Sequence, residues 1–84
     1  MLEDPVARRL CQLCDSAVLP GANVRPDDDF FARGGDSMQL IRMVTVAEEE
    51  FGVEIDALAF FERPTLGSLA VAVRQAQERR GHHE

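Results

Sequence analysis

Between Gly35 and Gly52 the chain repeats apolar side chains at helical spacing: Leu40, Met43, Val44, Ala47 and Phe51. At about 100° per residue these form one stripe, while Met38, Arg42 and Thr45 point away from it and Ile41 lies on the flank. A helix of this kind begins at Asp36 or Ser37 and stops at Gly52. Its single apolar stripe needs covering by other helices. An 84-residue chain has room for one core only.

The remaining punctuation supplies three more helices. Asp4 can cap free amides and Pro5 suits a first turn, so the first helix is predicted at about 4–19, with Ala7, Leu10, Cys11, Cys14 and Val18 on one face. Pro20-Gly21 ends it. After the second helix, at about 36–52, Val53-Glu54-Ile55 is a short extended link. Asp56 then opens a brief helix at about 56–61, which Pro64 closes. Thr65 caps a fourth helix at about 65–80, with Leu66, Leu69, Ala70 and Val73 inward. Arg74, Arg79 and Arg80 stand toward its C-terminus, where cations suit the dipole. The tail from Gly81 to Glu84 is expected to fray. No stretch reads as a strand of real length. The fold class is all-α, a small four-helix bundle with a short third helix and a long connection over residues 20 to 36. Loops of that length in a compact domain are usually functional. Phe30 and Phe31 are expected to pin this one by dropping into the core.

Composition removes several functions. Fifteen acids against nine bases give a net charge of −6, and all nine bases are arginine. Phosphate backbones repel such a domain, so nucleic acid is not an expected partner; basic protein surfaces are the natural complement. No segment approaches the roughly 20 apolar residues that cross a bilayer, and the N-terminus lacks the pattern of a signal peptide. No membrane partner is expected, and the reduced cytoplasm is the default location. Cys11 and Cys14 have CxxC spacing but no second ligand pair, and their shared face is apolar, so they read as core. His82 and His83, the only histidines, lie in the tail, far from any serine that would need a base. Without lysine there is no lysine chemistry. An enzyme is not expected. Asp27-Asp28-Asp29 fails as a calcium loop: the fifth, sixth and twelfth positions counted from Asp27 are Phe31, Ala32 and Met38. It reads as a turn-forming cluster, and Glu48-Glu49-Glu50 as a solvated helix face. No metal is expected.

One site candidate remains. Gly34-Gly35-Asp36-Ser37 places a hydroxyl at a glycine-released turn, beside the positive end of the second helix. A bland reading also fits, in which two glycines make the turn and Asp36 caps the helix.

The tetrapeptide does not stand alone. The stretches "AVLP", "DDDFFARGGDS", "EEEFGVEI" and "FFERPTLGSLA" together resemble, in order and spacing, the carrier-protein domains of nonribosomal peptide and polyketide assembly lines. The resemblance covers most of residues 5 to 76. It implies an acyl-carrier-like bundle and a 4'-phosphopantetheine arm, derived from coenzyme A, attached to Ser37. The arm would carry an aminoacyl, peptidyl or acyl group as a thioester in a secondary-metabolite pathway such as antibiotic biosynthesis. Gly34 and Gly35 would give a transferase room, and Asp36 would cap the helix and could also face that enzyme. Met38, Ile41, Arg42 and Thr45 would form the partner-binding face. The implied partners are a phosphopantetheinyl transferase, an adenylation or other loading enzyme, and condensation, tailoring or thioesterase enzymes. The carrier itself is expected to be a monomer. GGDS ahead of a helix without an acidic face is similar to the peptidyl subtype. A polyketide-type acyl carrier and an unmodified helical interaction module are the alternatives. Arg33 stands where such loops usually carry an apolar residue, Met38 replaces a leucine or isoleucine, and Leu40 fills a position that is often alanine. Entry into the first helix close to Met1, and an end soon after the fourth, suit a discrete small protein; a trimmed segment would read the same.

Overall fold

The computed structural model describes residues 4–81. Helix α1 spans Pro5–Leu13, α2 Ser37–Phe51, α3 Ala57–Glu62 and α4 Leu66–Gly81. No strand occurs among the described residues. Asp4 caps α1 by accepting from the Val6 amide at 3.0 Å, with Pro5 in the first turn. The winding does not end at Leu13. It continues through Cys14–Val18 as a wider π turn, in which the Leu19 N–H reaches back five residues to the Cys14 carbonyl at 2.7 Å. The apolar period of the sequence is helical throughout and carries no sign of this extra width.

Helix α1 packs along α4 and against α2, and α3 lies against α2. Their inward stripes meet around Leu10, Cys14, Leu40, Met43, Leu66, Leu69 and Val73, all essentially without exposure. Phe51, expected inside, is only half-buried, whereas Ala76 extends the α4 stripe by one more turn. Cys14 is sealed in this core and Cys11 half-buried at its edge. Burial pushes the Cys14 thiol up to about 11, so at neutral pH it is a protonated apolar filler.

The long connection is held at both sides. Its start is tied by Asp15, which accepts from the amide of Asn23, a residue in the left-handed region at φ 54°. Val24 and Phe30 then drop into the core. Phe31 packs against it only half-buried. Backbone bonds stitch the connection to the far end of the fold: Phe30 N–H to the Pro64 carbonyl at 2.7 Å, and Gly67 N–H to that of Pro26 at 3.0 Å. The acid cluster forms turns. Asp28 accepts from the Arg25 amide at 2.9 Å, and Asp29 from those of Phe31 and Ala32 at 2.8 and 3.2 Å.

Several charged groups behave differently from their sequence reading. Glu48 is not simply solvated: it accepts from the Ile55 amide at 2.8 Å and so fixes the link to α3. Glu50 pairs with Arg9 of α1 at 2.8 Å. On α4, Arg74 pairs with Asp4, and Arg80 donates to the carbonyl of Gly52, the left-handed C-terminal cap of α2. These arginines serve neighbouring helix ends rather than only their own.

The packing can be checked at two side chains. Titration of the native chain with a thiol-reactive disulfide reagent at pH 8 should leave the Cys14 thiol unreacted until denaturant is added. At the other, the Arg74 guanidinium, aided by the Val6 amide and opposed by desolvation, holds the Asp4 carboxyl below its ordinary value. A depressed carboxyl stabilises the fold above its unfolded pKa of about 3.9, and the benefit fades as pH falls through the folded value. Asp4→Asn retains a capping side chain. In urea titrations at pH 7 it should therefore lower the unfolding free energy, by no more than about 1 kcal/mol for so exposed a pair. The gap to wild type should close as the pH falls from the unfolded value through the lower folded one.

Candidate functional site

The site is wound around one ring. Asp29 turns the chain after Val24, and a further turn follows: Arg33 N–H bonds the Asp29 carbonyl, Gly34 N–H that of Phe31, and Gly35 N–H that of Phe30, at 3.0–3.1 Å. Gly34 adopts φ 104°, open only to glycine at low cost, and a Cβ there would meet nothing within 4 Å. Gly35 lies flush on the Phe30 ring, where a Cβ would come within 2.3 Å of a ring carbon. The two glycines are thus required for different reasons, one for its backbone angle and one for its closeness to the core. Arg33, at an unusual position for a cation, folds back to the Ala22 carbonyl at 2.6 Å and lies 3.7 Å from the Asp28 carboxylate. It cross-links the loop instead of packing beneath it.

Asp36 then leaves the loop in an extended conformation and caps α2. Its carboxylate accepts from the Gln39 amide at 2.9 Å, and the Gln39 carboxamide oxygen accepts from the Asp36 amide at 3.0 Å. The capping role of Asp36 is readable in the sequence. The answering role of Gln39, three residues on, was available from the same spacing, and sequence reasoning missed it. Ser37 is the first residue of α2 and is exposed. Among the described residues, no hydrogen bond engages the backbone N–H of Ser37 or of Met38. Two free amides at the positive end of a 15-residue helix suit the oxygens of a phosphodiester. With open space on the Gly34 side, the surroundings of this hydroxyl fit a 4'-phosphopantetheine arm.

Around Ser37, Met38 is 75% exposed and Ile41 53%, and Arg42 and Thr45 also face solvent. Arg42 is not free, because its Nε donates to the Ala17 carbonyl at 3.2 Å. Sequence reasoning missed the outward side of α3, where Leu58 and Phe61, three residues apart, are 63% and 50% exposed. The signal was there: Ala57-Leu58-Ala59-Phe60-Phe61 holds more apolar side chains than one face of a six-residue helix can bury. Phe61 meets Phe31 of the loop with ring centroids 5.6 Å apart, and Phe60 meets Phe30 at 5.8 Å. Among the described residues no group of histidine, cysteine, aspartate or glutamate could hold a metal ion, and no helix is long and apolar enough to cross a membrane.

Known proteins are similar to this chain in sequence. The family described as "Phosphopantetheine attachment site" matches residues 5–73, and the chain belongs to it. Over 65 residues it is 40% identical to N-(5-amino-5-carboxypentanoyl)-L-cysteinyl-D-valine synthase of Amycolatopsis lactamdurans, a match that covers 77% of this chain and 2% of that protein. Over 68 residues it is 35% identical to the nonribosomal peptide synthetase sidD of Aspergillus fumigatus, covering 80% of this chain and 3% of the synthetase. Over 52 residues it is 40% identical to the hybrid PKS-NRPS synthetase apdA of Emericella nidulans, covering 62% and 1%. The chain therefore spans only a few hundredths of the length of these relatives. The all-helical fold, the carrier-domain membership and the phosphopantetheine cofactor expected from the sequence agree with these matches. Domains of this family are sites of phosphopantetheine attachment.

The glycines can be tested separately. Gly34→Ala should cost about 1 kcal/mol through backbone angle alone. Gly35→Ala should cost about 1–3 kcal/mol through overpacking. In denaturation experiments, adding Phe30→Leu to Gly35→Ala should recover part of the loss, whereas adding it to Gly34→Ala should recover none.

Proposed function

We propose that the chain is a peptidyl carrier whose 4'-phosphopantetheine arm is attached to Ser37. The observation that carries this reading is the exposed hydroxyl of Ser37 at the first position of α2, beside two unbonded amides. In loading, Ser37 Oγ attacks the β-phosphorus of coenzyme A held with magnesium by a phosphopantetheinyl transferase. The Oγ–P bond forms, the bond to 3',5'-ADP breaks, and the hydroxyl proton passes to a base on the transferase. The chain's own share is to hold the nucleophile clear of the core and to neutralise part of the phosphate charge with the end of α2. Gly34 keeps bulk away from the approach, Gly35 lets the turn close onto the Phe30 ring, and Asp36 keeps the helix start in register. The bound arm supplies a thiol that carries the cargo as a thioester.

The partner face comprises Met38, Ile41, Arg42 and Thr45, extended by Leu58 and Phe61 of α3. Exposed methionine and aliphatic contacts adapt to several grooves in turn. Loading, condensation, tailoring and thioesterase domains meet this face while the arm supplies high effective concentration. The protein works as a monomeric carrier in the cytoplasm and catalyses nothing alone. A relative named as a nonribosomal peptide synthetase, and one named as a synthase of a cysteinyl-valine product, support the peptidyl cargo. The hybrid synthetase among them supports a second reading, an acyl cargo of polyketide type.

Incubation with coenzyme A, magnesium and a broad-specificity transferase should add one pantetheine phosphate by intact mass, and Ser37→Ala should abolish the adduct while keeping the helical circular dichroism. A wild-type chain that stays bare would leave only an unmodified interaction module. The mass of cargo on material from the native producer separates the peptidyl from the polyketide reading.

A further inference from the structure

The segment that follows α1 ends with carbonyls that its π turn cannot satisfy, and α2 satisfies two consecutive ones. Arg42 Nε donates to the Ala17 carbonyl at 3.2 Å, and Gln39 Nε2 reaches the Val18 carbonyl at 3.5 Å. Gln39 is therefore engaged at both ends of its carboxamide. Its oxygen accepts from the Asp36 amide, and its nitrogen faces the π turn. Ser37 lies between the two residues of that capping box. We infer that Gln39, supported by Arg42, is a positioning residue for loading: it fixes the start of α2, and with it Ser37 Oγ, against the end of the π turn.

The chemistry selects an amide at position 39. A carboxylate could still accept from the Asp36 N–H, but it has no donor for the Val18 carbonyl and would set negative charge against that oxygen. Leucine would lose both contacts. Arg42 also changes meaning. Proposed above for the partner face, it has its guanidinium already turned toward Ala17, so its effect on loading is on the rate of the bound complex as well as on encounter.

The inference rests on Ser37 being the attachment residue, and two readouts keep the tests apart. The first needs no transferase. In apo Gln39→Glu, the 13C shift of the Val18 carbonyl and the amide shift of Ser37 should both depart from wild type at pH 7. Both should return toward it as the introduced carboxyl protonates near its ordinary pKa of about 4.3, because the acid regains a donor. The second is loading kinetics with the carrier varied. Gln39→Glu and Gln39→Leu should each lower kcat about fivefold, the scale of one lost hydrogen bond, with KM for the carrier little changed. Arg42→Met should lower kcat in the same direction. Shifts that do not titrate at Val18, or variants that load with wild-type kcat, overturn the inference. A loss confined to KM also overturns it, since that would mean direct contact with the transferase. Failure of wild type to load overturns the reading of Ser37 instead, and the shift titration still decides whether the tie exists.

Discussion

The Phe30 ring is the fixed point of this domain. It is fully enclosed, its amide is bonded to the Pro64 carbonyl, its carbonyl receives the Gly35 amide, and its face lies under Gly35. Burying such a ring is worth about 2–3 kcal/mol. What matters more is where that energy is placed. The connection from Pro20 to Asp36 would otherwise wander, and the serine that follows it would have no defined position. One aromatic side chain, a short step ahead of the helix cap, converts the loop into a bracket between the α3–α4 junction and the start of α2. Phe60 and Phe31, each edge-on to it, extend the same support to α3.

Charge is organised by a similar logic. The chain is acidic overall, yet the first two turns of α2 beyond Asp36 expose no acid. The acids are used elsewhere: Asp15, Asp28 and Asp29 hold loop amides, Glu48 holds the link to α3, and Glu50 and Asp4 tie α1 to α2 and α4. The result is an outward face that is apolar and neutral to cationic on a protein that is anionic elsewhere. Long-range repulsion between acidic copies can thus coexist with short-range apolar contact to a partner.

Much of this is legible in the sequence because it depends on local chemistry. Asp4, Asp36, Asp56 and Thr65 each cap the helix they precede, and Gly52 closes α2, as their side chains and spacing require. The exposure of Met38 follows from the period of α2, and the burial of Phe30 from its apolar bulk. What is not legible depends on distance along the chain. The end of the first helix must leave its last carbonyls free, but nothing in the residues around Gln39 or Arg42 indicates that their side chains reach those of Val18 and Ala17, more than twenty positions earlier. Arg33 looks misplaced only until its target, the Ala22 carbonyl, is known. Long side chains choose among partners that only the folded chain assembles.

The far end of α4 carries a practical consequence. The family match stops at residue 73, but Ala76 is enclosed and Arg80 grips the carbonyl that closes α2. The last two turns of α4 are therefore a clasp on the helix that presents the serine, not a spacer. A carrier transplanted between assembly lines with its seam cut at the family boundary would leave the clasp behind and import a foreign one. Seams placed beyond Arg80 would move the serine-bearing helix together with its own fastening.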